Sequence, residues 1–242
     1  MLLAVGAAPF TPLSLSPKLW LDASDTATIT SSANRVSAWA DKSGNGNNAA
    51  QGTAGLKPTT NTTTMNGKNV LDFSSNLIVV SSFLLSSANT VFIVFTSASA
   101  AAQILIEHSA NWNTNLGQVH NISSATAYAS GYNRGATAAA NGDNASLTTR
   151  TSGAHQLTFQ GGGSYATLLA WQDAAALTKT PVYNNTCGVS NATTTFNIGD
   201  RAGGGVVPLA GSIAEIIVYN SALSTTDRQA VEAYQKAKWG TP

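Results

Sequence analysis

The densest set of hard oxygen donors in the chain is the loop Asp41-Lys42-Ser43-Gly44-Asn45-Gly46-Asn47. Glycine lets the backbone fold back sharply, and Asp and Asn offer oxygens to a cation. Asp41, Asn45 and Asn47 are therefore the candidate ligands for a hard cation. A lone carboxylate is a poor match for calcium, which favours the other outcome: a tight Asx turn whose side chains bond their own backbone. Asp22 and Asp25 would add charge there, or would cap turns. Glycosidic cleavage needs two carboxyl groups about 5–10 Å apart. The glutamates Glu107, Glu215 and Glu232 are scattered, with Glu107 beside His108, Glu215 in a late strand and Glu232 in a terminal helix. That scarcity argues against catalysis, and the expectation is a protein that is not an enzyme. His108, His120 and His155 lack metal-ligand spacing and read as surface or strand-lining residues. Cys187 is the one cysteine, so no intrachain disulfide forms, and it reads as a buried thiol.

Sugar binding calls for an exposed aromatic ring among amide donors and acceptors. Trp112, flanked by Asn111 and Asn113, is the best such cluster and the candidate ligand-binding site. Tyr128 and Trp171 read as core residues. Trp20, Trp39 and Trp239 read as packing residues.

The elements that must position these residues follow from composition and pattern. The chain has 242 residues, 43% hydrophobic and only 10% charged, against about 25% charged in typical soluble proteins. Such a surface suits exported proteins and large assemblies. Net charge is +1 with no basic run, which excludes the electrostatic footprint of nucleic-acid binding. No stretch approaches the roughly 20 apolar residues of a membrane helix, and MLLAVGAAPF lacks the basic start of an ordinary export signal. Residues 1–17, with Pro9, Pro12 and Pro17, read as an extended arm that packs on its own domain or reaches a neighbour. Short apolar runs then alternate with Gly, Asn, Ser and Thr clusters. Strands are expected at 19–21, 36–39, 70–73, 77–80, 90–96, 103–107, 127–132, 155–160, 166–171, 196–198 and 212–219. This is the pattern of a sandwich or barrel. In the last of these, alternation puts Ile213, Glu215, Ile217 and Tyr219 on one face and Ala214, Ile216 and Val218 on the other. Residues 136–150 read as a loop or a hairpin turning at Asn141-Gly142. A single helix is expected at 224–239, capped by Ser224, with Ala230, Val231, Tyr234, Ala237 and Lys238 at helical spacing.

Three stretches together resemble a known family: LWLDASD at 19–25, VSAWADKSGNGNNAAQ at 36–51, and FNIGDRAGGGVVPLAGSIAEIIVYNSALSTTDRQAVEAYQKAKWG at 196–240. They look like the concanavalin A-like, laminin G-like jelly-roll domains of bacterial secreted proteins and phage virion proteins. The resemblance implies an all-β, two-sheet antiparallel sandwich over residues 18–242, closed by the C-terminal helix. It also implies a role in carbohydrate binding, adhesion or virion structure, and a calcium ion at Asp41 with Asn45 and Asn47, since related domains often hold one. With the low charge and the unremarkable N-terminus, the leading expectation is a virion structural protein of a tailed phage. It would be a homo-oligomeric capsid decoration or fibre-like component on the virion surface, contacting other virion proteins and host glycans. The alternative is a secreted or cell-surface carbohydrate-binding module, and a glycoside hydrolase is the third reading.

Overall fold

The computed structural model describes residues 9–97, 99–109, 118–132, 143–148, 150–161, 166–184 and 192–242. The early strands are β1 (Leu19–Asp22), β2 (Ile29–Ser32), β3 (Arg35–Trp39), β4 (Ala49–Ala50), β5 (Thr59–Met65) and β6 (Lys68–Ser74). The middle ones are β7 (Ile78–Leu85), β8 (Asn89–Ser97), β9 (Gln103–His108), β10 (Gln118–Ile122), β11 (Ala127–Tyr132) and β12 (Asp143–Thr148). The last are β13 (Gly153–Gly161), β14 (Leu169–Gln172), β15 (Ala175–Ala176), β16 (Thr178–Asn184), β17 (Ala192–Ile198) and β18 (Ala210–Tyr219). Helix α1 (Thr225–Trp239) follows.

All pairings are antiparallel. One sheet runs β5–β6–β18–β8–β13–β14–β15, with β1 beside the second half of β18. The other runs β2–β3–β4–β7–β17–β9–β10–β11–β12–β16. A single contact between β3 and β5 joins the two at one edge. The main core lies between the sheets and includes Leu21, Trp39, Phe83, Ile93, Tyr128, Phe159 and Ile216. The all-β sandwich with one C-terminal helix is the architecture expected from the sequence.

The run Val91–Phe95 is buried on both faces, as expected. Val91, Ile93 and Phe95 point into the sandwich, while Phe92 and Val94 point out to two smaller clusters under α1. The two faces of β18 differ from simple alternation. A bulge between Ile213 and Glu215 adds a residue to the strand. Ile213 therefore joins the inner core with Ile216 and Val218, and Ala214 packs outward against Trp239. The segment 143–148 is strand β12, and the rest of 136–150 lies mostly outside the described residues. The Thr-rich strands β5 and β16 also escape an apolar-run reading, because most of the described side chains in them are exposed.

Helix α1 starts as expected. Ser224 Oγ accepts the Asp227 N–H at 3.1 Å and donates to the Asp227 carboxylate at 2.7 Å. Gly240, left-handed at φ 68°, ends it. Its buried face differs from the apolar stripe read in the sequence. Of that stripe Val231 is buried as expected, Ala230 is half-buried and Ala237 is exposed, whereas Arg228, Glu232, Gln235 and Trp239 also face the sheet. The described part of the arm packs on this layer. Phe10 meets Tyr234, and the Tyr219 hydroxyl donates to the Pro12 carbonyl at 3.1 Å.

The helix is held by Glu215, which is fully buried. One carboxylate oxygen accepts Trp20 Nε1 at 2.9 Å, Lys238 Nζ at 2.8 Å and the Tyr234 hydroxyl at 3.1 Å. The other accepts Gln235 Nε2 at 3.1 Å and Trp239 Nε1 at 3.0 Å. Lys238 also reaches Asp22 at 2.7 Å, and Lys42 reaches Asp22 at 2.9 Å. Burial alone would raise the Asp22 carboxyl, but the ammonium groups of Lys238 and Lys42 hold it below its ordinary value. Removing one member of a buried, hydrogen-bonded charge cluster costs about 3–5 kcal/mol. Glu215→Ala should lower the unfolding free energy by that amount in urea titration. A group with a lowered folded pKa stabilises above its unfolded value and stops doing so as pH falls through the folded one. The stability gap between the native chain and Asp22→Asn should thus stay constant at neutral pH and shrink below pH 3.8, as read by denaturant midpoints across pH.

Candidate functional site

The fold brings Asp41, Asn45 and Asn47 together, and their hydrogen bonds define the loop. The Asp41 carboxylate accepts Trp20 N at 2.9 Å and Ser43 N at 2.8 Å on one oxygen. Its other oxygen accepts Ser43 Oγ at 2.7 Å and Asn47 N at 3.0 Å. The side-chain amides of Asn45 and Asn47 donate to the carbonyls of Pro17, at 2.9 Å, and Lys18, at 2.8 Å. This is the Asx-turn outcome, and it clips the entry to β1. A cation at Asp41 would have to displace four N–H and O–H donors. No group of three or more His, Cys, Asp or Glu among the described residues is arranged to hold a metal.

Glu107 and Asp200 are also fully buried and committed locally. Burial pushes the Glu107 carboxyl up, against hydrogen bonds from Ser109 Oγ and Ala202 N, both at 2.6 Å. Asp200 accepts the backbone N–H groups of Arg201, Gly205, Val206 and Val207 and so shapes the glycine-rich turn before β18. Glu232 accepts Thr158 Oγ1 at 3.0 Å and pairs with Arg228. The three histidines line strands and all are buried, so none is a surface residue. His120 stacks on Phe159 with centroids 3.9 Å apart, and burial lowers it to about 3. His108 is also lowered by burial, although it bonds the Phe83 carbonyl.

Asn111, Trp112 and Asn113 lie outside the described residues, as does Cys187. Trp20, Trp39, Trp239 and Tyr128 are buried, as packing residues should be. Trp171 is the departure. It was expected in the core, yet it is only half-buried and belongs to no core cluster. The reason is register. In β13 the side chains of Leu157 and Phe159 enter the core, so Thr158 faces outward, and Trp171 pairs with Thr158. The outer face of β13 is covered by α1 and the turn before it: Gln156 Nε2 donates to Gln235 Oε1 at 2.8 Å, and Gln160 Nε2 donates to the Leu223 carbonyl at 2.7 Å. Hairpin β14–β15 extends beyond this cover. It presents Leu169, 49% exposed, and the Trp171 ring, over which the Arg228 guanidinium lies at 4.0 Å.

Two clefts flank the hairpin. One, of about 130 Å³, is lined by Leu168, Leu169, Trp171, Ala176, Leu177 and Lys179. The other, of about 180 Å³, lies between the hairpin tip and α1 and is lined by Gln156, Asp173, Gln229, Glu232 and Lys236. The first offers ring and apolar surface, and the second offers carboxylate, amide and ammonium groups. The tip Asp173-Ala174 has φ of 51° and 65°. Both residues are left-handed, as a two-residue hairpin turn demands but as neither residue prefers in the way Asn-Gly does. That turn aims the Asp173 carboxylate back at β13, where it accepts Gln156 N at 2.9 Å and lies 2.6 Å from His155 Nδ1. Sequence reasoning missed this constellation because His155 and Asp173 are joined only through strand register.

No family model matches the chain, and no curated protein matches it. Solved structures do. The ligand binding domain of botulinum neurotoxin serotype D, in complex with N-acetylneuraminic acid, aligns with TM-score 0.59 at 13% identity over 96% of this chain and 56% of that one. The Trypanosoma rangeli sialidase in complex with 2,3-difluorosialic acid aligns with TM-score 0.59 at 10% identity over 96% of this chain and 34% of that one. The Ruminococcus gnavus IT-sialidase CBM40 bound to α2,3-sialyllactose gives 0.47 at 15% identity over 61% of this chain and 83% of that one. The chain thus spans about half of the toxin domain and a third of the trypanosomal enzyme. At these identities the likeness shows the sandwich fold.

If the Asp41 loop is self-contained, calcium chelation leaves the melting temperature unchanged. Asp41→Ala, which leaves its backbone donors unpaired, lowers stability by about 1–3 kcal/mol. Thermal melts with and without EDTA and calcium check both halves.

Proposed function

We propose that this domain binds carbohydrate through the outer face of hairpin β14–β15, and that it does so without cleaving glycosidic bonds. The observation that carries the reading is Trp171: a half-buried indole, outside every core cluster, lining the apolar cleft of a hairpin whose tip lines a polar one. A ligand site of this kind combines apolar and aromatic surface with a few fixed polar groups. A sugar ring fits that pairing, with its C–H face against the indole and its hydroxyls against Gln229 and Lys236. The fold adds support, because a ligand binding domain that this chain matches over 56% of its length was solved in complex with N-acetylneuraminic acid. Binding rather than glycoside hydrolysis is favoured because Glu107, Glu215 and Glu232 have 0%, 0% and 2% exposure and spend their oxygens on internal donors. Such a module would act outside the cell.

A second reading keeps the same surface on an exposed component of a tailed-phage particle. It rests on the low charge of the chain, 10% of residues. Purified particles lacking the protein would end it.

Screening against sialylated and neutral oligosaccharides should give at least one ligand. Trp171→Ala should weaken its binding about tenfold, which is about 1.4 kcal/mol, by calorimetry. An array without hits, or affinity untouched by Trp171→Ala, would contradict the proposal.

A further inference from the structure

We infer that Thr151, His155 and Asp173 form a nucleophilic triad that hydrolyses small acyl esters, an activity separate from the glycan binding proposed above. Thr151 is exposed, His155 is buried at 6% exposure, and Asp173 is half-buried. Thr151 Oγ1 lies 3.0 Å from His155 Nε2, and His155 Nδ1 lies 2.6 Å from Asp173 Oδ2. These are the nucleophile–base and base–orienter contacts that covalent catalysis requires.

Most donors along the cluster run toward Asp173, although Gln172 Nε2 also lies 3.2 Å from His155 Nδ1. A carboxylate only accepts, so Nδ1–H donates to Asp173, and Nε2 of the neutral ring is left as the acceptor for the Thr151 hydroxyl. Gln172 Nε2 donates to Thr151 Oγ1 at 2.7 Å, which orients the hydroxyl proton toward His155. The Gln172 amide is itself oriented by the Tyr128 hydroxyl, which donates to its oxygen at 2.8 Å. The Ser152 carbonyl, 3.2 Å from Nε2, accepts from the imidazolium once the proton has moved.

In the reaction, Thr151 Oγ1 attacks the acyl carbon while its proton passes to His155 Nε2. The ester C–O bond breaks, and the departing alkoxide takes that proton and leaves as an alcohol. Water then attacks the acyl-threonine, gives a proton to Nε2, and Thr151 Oγ1 recovers it as the carboxylic acid leaves. Asp173 and Gln172 are positioning residues throughout.

The test is hydrolysis of p-nitrophenyl acetate by the full chain, with thermal melts to confirm folding. The native protein should turn over at least tenfold faster than Thr151→Ala and His155→Gln, and Thr151→Ser should retain activity. Asp173→Asn should lower kcat with KM retained, because a merely structural change would not split them in that way. Mass spectrometry of the quenched reaction should find the acetyl group on Thr151. Activity that survives in folded Thr151→Ala, no rate above that variant, or acetyl on another residue would each overturn the inference. The assay contains no glycan, so its failure leaves the binding proposal standing, and a failed glycan screen leaves this one standing.

Discussion

A carboxylate with no solvent exposure must be neutralised where it sits, and Glu215 imposes that condition on the whole outer layer of the molecule. Its charge is met by Lys238, and its two oxygens take five donors from β1 and α1. An anion buried without such partners would cost several kcal/mol. The helix therefore has one docking position, with Tyr234, Gln235, Lys238 and Trp239 over β18. The bulge at 213–215 belongs to the same arrangement, because it lets Ala214 and Glu215 share the helix side while Ile213 returns to the core. Strand β1 is bound in as well. Trp20 donates to Glu215, its ring lies 4.5 Å from Lys42, and its backbone N–H is clipped by Asp41. The two ends of the described chain are thereby fastened to each other.

The same cover decides where the surface is open. Helix α1 occupies the outer face of β18, β8 and β13, and it ends contact at the edge where Arg228 lies over Trp171. Hairpin β14–β15 is left uncovered apart from the Trp171 face under Arg228, with its tip locked to β13 through Asp173. A rigid hairpin with an aromatic ledge on one side and polar groups on the other is preorganised for a ligand, which spares the ordering cost that a mobile loop would incur.

Much of the sandwich was legible in the sequence because its strands are apolar runs between turn residues, and because Ser224 and Gly240 mark the helix ends. What was not legible shares a physical cause. Periodicity arguments assume an unbroken period, so the extra residue at 213–215 put Ile213 on the wrong face. They also assume that buried means apolar, so Val231 was read on the docking face but Arg228, Glu232 and Gln235 were not. Trp171 follows Leu168-Leu169-Ala170 and looked like core, because only the register with Thr158 turns it outward. Glu107, read as an isolated carboxylate beside His108, is spent on Ser109 and on the turn after Asp200. Asp41, Asn45 and Asn47 do come together, and the structure turns their side chains onto the loop's backbone and onto that of Pro17, Lys18 and Trp20.

The claim on which the account rests is that a sugar sits against Trp171. It is tested most directly by following the five tryptophan indole N–H signals by nuclear magnetic resonance during titration with a sialylated oligosaccharide. The account predicts that the Trp171 signal shifts with saturation while those of buried Trp20 and Trp239, held on Glu215, stay in place. Saturable shifts confined to another indole, with Trp171 unmoved, would contradict it.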